Sequence, residues 1–155
     1  MNSPFILERE QVLPRPRAEV FSFFARPENL EAITPPSLRF QIMTPSPVRM
    51  AEGSLIDYRI RVSGVPLRWR SLIEVYEPPC CFVDLQLRGP YALWRHAHTF
   101  EDCGEGTRIV DRVQYALPLG AMGRLAHALW VRRTLERIFD FRKEAVAGLF
   151  GISPS

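Results

Sequence analysis

The period of the apolar residues changes once along this chain, and that change constrains the fold more than any other feature. Over residues 38–117 apolar and polar residues alternate in short runs, the pattern of strands with one buried face. Over residues 119–150 the apolar residues Met122, Leu125, Leu129, Leu135, Ile138, Phe139, Val146 and Leu149 recur at helical spacings, with arginines between them. The clearest alternation sets Ile56, Tyr58, Ile60 and Val62 against Asp57, Arg59 and Arg61. It continues with Trp69, Ser71, Ile73 and Val75 against Arg68, Arg70, Leu72 and Glu74, and then with Val83, Leu85 and Leu87 against Phe82, Asp84, Gln86 and Arg88. Leu38, Phe40 and Ile42 predict a further strand, and residues 5–13, bounded by Pro4 and Pro14, predict the first.

Between the first strand and the others, Pro16 precedes Val20, Phe21, Phe23 and Phe24, a short amphipathic helix that stops before Pro27. Residues 28–33 predict a second short helix ended by Pro35-Pro36. One strand, two short helices, six strands and a long helix make an α+β fold of sequential antiparallel hairpins. Such a sheet has one solvated face, expected to carry Asp57, Arg59, Arg68, Arg70, Asp84, Gln86, Arg95, Arg108 and Arg112, and one apolar face. The final helix is the only element long enough to cover the apolar face. A length of 155 residues, all in one domain (1–155), suffices for that core.

Twenty basic residues against seventeen acidic ones leave a formal charge of +3, too slight an imbalance to imply a nucleic-acid partner. Three cysteines, two of them adjacent at Cys80 and Cys81, give neither an even disulfide framework nor zinc-finger spacing. The N-terminus is charged by its eighth residue, and no apolar run approaches the length of a membrane span. The expectation is a cytoplasmic protein with reduced thiols and no stable membrane insertion. Arg124, Arg132, Arg133 and Arg137 beside Trp130 read as the solvated face of the last helix rather than a membrane-binding one. No phosphate-loop, dinucleotide, nucleophile-elbow or H-E-x-x-H motif occurs, and no cofactor is expected.

The most informative chemistry lies on the hairpin of residues 91–117. Its first strand places Trp94, His96, His98 and Phe100 on one face, and its second places Ile109, Asp111, Val113, Tyr115 and Leu117 on one face. Gly104 and Gly106 serve the tight connection. A histidine on such a face can bind a carbonyl or hydroxyl, or move a proton, since its ordinary pKa is about 6.5. It can equally be a hydrogen-bonded core residue. Asp111, if it pairs across the hairpin with either imidazole, could orient it, which makes His96, His98 and Asp111 the catalytic candidates. An H-x-H pair completed by Asp111, Glu101 or His127 is a weak metal signal, and the expectation is no metal.

Several stretches resemble one family. Pro14-Arg15-Pro16-Arg17-Ala18-Glu19-Val20-Phe21-Ser22-Phe23-Phe24 followed by Pro27-Glu28-Asn29-Leu30 is similar to the strand exit and helical pair of the START-like (SRPBCC) superfamily. Gly89-Pro90-Tyr91, His98-Thr99-Phe100, Gly106-Thr107 and Asp111-Arg112-Val113 resemble a bacterial subgroup of ligand-binding or polyketide cyclase/dehydrase-like members. The resemblance implies a helix-grip fold, a curved seven-stranded antiparallel sheet wrapped around the C-terminal helix with a cavity between them. It implies a small hydrophobic or aromatic ligand bound by Tyr58, Trp69, Trp94, His96, His98, Phe100, Asp111 and Tyr115, under a roof that includes Leu125 and Leu129. The first reading is a binding or carrier module, lipid binding included. The alternative is an aromatase, cyclase or dehydratase type of enzyme using His96 or His98 oriented by Asp111. An open cavity with a reachable histidine favours the enzyme, whereas histidines satisfied by protein groups favour the carrier. Neither the ligand's identity nor the oligomeric state is written in the sequence.

Overall fold

In the computed structural model of the protein, which describes residues 3–151, the period-2 segments form one seven-stranded antiparallel sheet. The strands are β1 (Phe5–Leu13), β2 (Gln41–Ile42), β3 (Leu55–Val62), β4 (Val65–Glu77), β5 (Cys81–Arg88), β6 (Leu93–Cys103) and β7 (Gly106–Ala116). Their order is β1-β7-β6-β5-β4-β3-β2, so β2 to β7 are successive neighbours and β1 closes onto β7. Helix α1 (Arg17–Phe24) and three 3₁₀ turns carry the chain from the β1 edge to the β2 edge. Helix α2 (Gly120–Ala126), a π turn (His127–Val131) and helix α3 (Arg132–Leu149) follow the last strand. The residues joining them are all right-handed helical, so they run on as one long C-terminal helix over the curved sheet.

Two apolar clusters fill the space beneath this helix. One gathers Leu13, Val20, Phe21, Phe24, Phe82, Phe100, Ile109 and Val146 where α1 docks. The other gathers Leu7, Trp69, Trp94, Val113, Tyr115, Leu135 and Phe139. His96 and His98 lie between them. His98 stacks on Phe82 at 4.1 Å, and His96 meets Trp94 and Phe139 at 6.4 and 5.5 Å between ring centroids.

The structure corrects five local expectations. The second short helix is replaced by 3₁₀ turns at Pro27–Asn29, Glu31–Ile33 and Pro36–Leu38, because prolines at 27, 35 and 36 leave no run long enough for α-helical bonding. The strand expected from Leu38 shrinks to β2, since Arg39 turns through a left-handed conformation (φ 46°).

The face of β5 is inverted: Phe82 and Asp84 point inward, opposite His98 and His96, and Leu87 points outward. A register shift between Ile73 and Val75 likewise skips one residue of β4, so that Tyr76 rather than Val75 packs beside Phe21.

Leu125 and Leu129, expected in the roof, are 62% and 64% exposed. In an unbroken α-helix Leu125 would lie within about 40° of Phe139, but the extra residue of a π turn removes about 100° of rotation and leaves them about 140° apart. The inner face instead runs through Gly123, His127, Leu135, Phe139 and Val146.

Gly106 begins β7 where the hairpin meets the corner between β1 and α1. Its φ is 132°, and a Cβ there would sit 2.1 Å from the Leu13 carbonyl oxygen. Next to it the buried Thr107 hydroxyl donates to the Arg15 carbonyl at 2.7 Å. Replacing Gly106 by Ala therefore forces backbone apart, and urea denaturation is expected to show a loss of about 3 kcal/mol. Gly104→Ala, which meets open space, is the control and should cost far less.

Candidate functional site

Period-2 burial on β6 and the inverted face of β5 bring three polar side chains, Asp84, His96 and His98, to one wall of a cavity of about 470 Å³ between the sheet and the C-terminal helix. The rest of the lining is chiefly apolar and aromatic, including Phe24, Phe40, Tyr58, Trp69, Tyr91, Trp94, Leu135 and Phe139. Tyr58 stacks on Trp69 at 5.7 Å, and Trp69 meets Trp94 edge-on at 5.3 Å. The lining residues Ser63, Pro90, Trp130 and Thr134 are exposed, so the cavity reaches the surface between the β3–β4 turn, the β5–β6 loop and the π turn.

At its inner end the cavity meets a buried ionic network. His96 Nε2 donates to Asp111 Oδ1 at 2.9 Å, and His98 Nε2 donates to Asp84 Oδ2 at 2.9 Å. His98 Nδ1 lies 3.1 Å from the same Asp111 oxygen, and His96 Nδ1 lies 3.9 Å from Asp84 Oδ2. Arg142 of α3 approaches from the helix side, with Nη2 3.6 Å from Asp111 Oδ1. Its guanidinium sits over the Phe24 ring, and its Nε is buried with no hydrogen-bond partner among the described residues.

Burial and charge together decide the protonation states. Burial, reinforced by the neighbouring His98, pushes His96 down to about 4, so this imidazole is neutral at pH 7. Burial also opposes charging His98, but hydrogen bonds to Asp111 and Asp84 outweigh it and raise His98 above its ordinary value. Both carboxyls overcome their own burial: Asp84 is lowered by its bond to His98 and Asp111 well below its usual range by Arg142 and the two imidazoles. Two carboxylates then face the Arg142 guanidinium and a His98 that holds its proton more tightly than an ordinary histidine, with His96 neutral. With its Nε2 donating to Asp111, His96 presents Nδ1 as a bare lone pair.

Of the residues expected to contact a ligand, Tyr58, Trp69, Trp94, His96 and His98 line the cavity. Phe100 is packed in the α1 cluster, and the Tyr115 hydroxyl is hydrogen-bonded with His127 Nε2 at 2.7 Å, away from it. Asp111 stands behind the imidazoles rather than on the wall, and Leu125 and Leu129 face outward. The weak third-ligand candidates Glu101 and His127 are engaged elsewhere, with Arg108 and Tyr115 respectively. Sequence reasoning missed Asp84 and Arg142. Pairing β5 to β6 with Phe82 opposite His98 would have revealed Asp84, whereas Arg142 differs in no local way from the arginines around it.

The network makes a prediction about titration. Relative to an ordinary histidine, His96 resists protonation in the folded state, so its contribution lowers stability as pH falls from about 6.5 toward 4. His98 binds its proton more tightly when folded, so the stability it adds is complete below about 6.5 and is lost as pH rises through its raised value. In metal-free buffer, NMR of the imidazole nitrogens is expected to show His96 neutral, as the Nε2–H tautomer, down to about pH 4, and His98 still protonated where an ordinary histidine is not. Two imidazoles titrating together near the ordinary value would contradict this assignment.

No family model and no curated protein matches the chain. Solved structures do. Protein CV1439 from Chromobacterium violaceum superposes with a TM-score of 0.73 at 14% identity, over 98% of this chain and 100% of that one. The di-domain ARO/CYC StfQ from the steffimycin biosynthetic pathway matches with a TM-score of 0.72 at 15% identity, over 92% of this chain and 49% of StfQ. Ara h 8.0201 matches with a TM-score of 0.62 at 14% identity, over 93% of this chain and 98% of that one. At these identities the likeness concerns the fold. Curved sheet, helical insert after the first strand and gripping C-terminal helix agree with these neighbours and with the fold expected from the sequence: the chain has the helix-grip fold.

Proposed function

We propose that this protein binds a small hydrophobic or aromatic molecule carrying one polar group, acting in the cytoplasm as a binding or carrier module. The observation that carries this reading is the division of the cavity into an aromatic wall and a polar inner end. A volume of about 470 Å³ is in the range of sites that take drug-sized molecules. Trp69, Trp94 and Tyr58 offer stacking faces, while His96 Nδ1 and the unpartnered Arg142 Nε supply an acceptor and a donor. A bound hydroxyl or carbonyl would satisfy one of these buried groups, which favours ligands bearing such a group over plain hydrocarbons. Among the described residues no helix is long and apolar enough to cross a membrane, and a chain with twenty basic and seventeen acidic residues lacks the charge excess of a nucleic-acid binder.

The second reading is proton-transfer chemistry of the cyclase or dehydratase type. Two observations favour it: His96 is neutral, on the cavity wall and oriented by Asp111, and one fold neighbour is named as an ARO/CYC protein. His98, with both ring nitrogens beside carboxylates, is the poorer base.

The test is fluorescence and calorimetric titration with a panel of polycyclic phenols and their unsubstituted hydrocarbons. Phenols are expected to quench tryptophan fluorescence and bind more tightly than the matched hydrocarbons. Trp69→Leu should weaken binding at least tenfold, and the outward-facing Leu129→Ala should leave it unchanged. Equal effects of the two substitutions, or no binding across the panel, would reject the cavity as the site. Conversion of a bound phenolic precursor that is lost in His96→Asn while binding is retained would establish the enzymatic reading.

A further inference from the structure

The two imidazoles share an arrangement that ligand binding does not require. Each turns one ring nitrogen toward the same carboxylate oxygen, Asp111 Oδ1, at 2.9 Å from His96 Nε2 and 3.1 Å from His98 Nδ1. The remaining nitrogens, His96 Nδ1 and His98 Nε2, approach the other carboxylate, at 3.9 and 2.9 Å from Asp84 Oδ2. Asp84, His96 and His98 each offer a ligand atom within 4.8 Å of the other two. Four-coordinate zinc, with bonds of about 2.0–2.1 Å, holds its ligand atoms about 3.4 Å apart, a spacing that the 2.9 and 3.9 Å separations bracket.

From this geometry we propose that Asp84, His96 and His98 form a binding site for a divalent transition-metal ion of the zinc class. Asp111 is the positioning residue. A metal-bound histidine characteristically gives its second ring N–H to a carboxylate, which fixes the tautomer and aims the other nitrogen, and here a single carboxylate does this for both rings. Arg142, 3.6 Å from that oxygen, holds Asp111 in turn. Two imidazole nitrogens and one carboxylate oxygen suit zinc, cobalt or iron(II) and do not suit magnesium or calcium, which take all-oxygen shells. The ion would take the place between Asp84 Oδ2 and His98 Nε2 that the proton of their hydrogen bond holds without it. All three ligating residues line the cavity, so a fourth position opens onto the aromatic-walled space. The site stands on its own geometry and does not depend on what organic molecule the cavity takes.

The test uses the full chain stripped with a chelator and titrated with Co²⁺ and Zn²⁺ alone. Expected are one ion per chain, intense tetrahedral-type visible bands for Co²⁺, and displacement of Co²⁺ by Zn²⁺ but not by excess Mg²⁺. The double variant Asp84→Asn/His98→Gln should weaken Zn²⁺ binding more than a hundredfold. Asp111→Asn should weaken it tenfold to a hundredfold, and His127→Gln, outside the cluster, should leave it unchanged. Zinc bound by the double variant as tightly as by the wild type would overturn the assignment, as would a Co²⁺ spectrum indistinguishable from the free aquo ion. If the double variant does not fold, X-ray absorption of the wild-type zinc complex decides: two imidazole ligands are expected, and a shell without them rejects the site. Phenol titration of the chelated protein reads the cavity separately, so loss of one activity leaves the other interpretable.

Discussion

The buried pairing of two carboxylates with two imidazoles and a guanidinium is the constraint on which the rest of this structure depends. Asp84 comes from β5, His96 and His98 from β6, Asp111 from β7 and Arg142 from α3, so one network ties three strands to the helix that covers them. Buried ion pairs are poor sources of net stability, because removing charges from water costs several kcal/mol per ion. Their effect is on specificity. The observed registers put Asp84 opposite His96 and Asp111 opposite His98, and a slip of one residue in either pair would turn a carboxylate out of the network and strip the imidazoles of a buried hydrogen-bond partner.

The same network divides the core. On one side phenylalanines of α1, β5 and β6 pack together, and on the other the tryptophans and tyrosines of β3 to β7 do. Charged groups between them need polar or open surroundings, and the cavity lies where that polar belt meets the aromatic wall. The π turn completes the arrangement at the surface. It rotates Leu125 away from the sheet and sets Trp130 among the residues that line the cavity's mouth. On the proposed reading function and fold share residues, since the groups that specify strand register are also the groups a ligand or ion would meet.

Much of this was legible in the sequence. The switch from period 2 to a helical period predicted the α+β architecture, and the alternation on the 91–117 hairpin put His96, His98 and Asp111 on one face, where the structure pairs them. What failed depended on contacts distant in sequence. Val83, Leu85 and Leu87 outnumber Phe82 as apolar residues, so a count of hydrophobic positions turned β5 the wrong way and sent Asp84 to solvent. Only pairing with β6 corrects it. A π turn leaves no mark in an apolar spacing that already tolerates intervals of three and four, so Leu125 and Leu129 were read on the wrong face. Arg142 is one of several arginines on an amphipathic helix, and its partner across the sheet singles it out.

The most direct test of the account is a crystal structure of the protein with a bound polycyclic phenol. The account predicts rings stacked among Tyr58, Trp69 and Trp94, with the hydroxyl oxygen within about 3 Å of His96 Nδ1 or Arg142 Nε. A ligand seated outside the cavity, or lying in it with its hydroxyl at the mouth and the buried network untouched, would contradict the claim that the polar inner end is where this protein works.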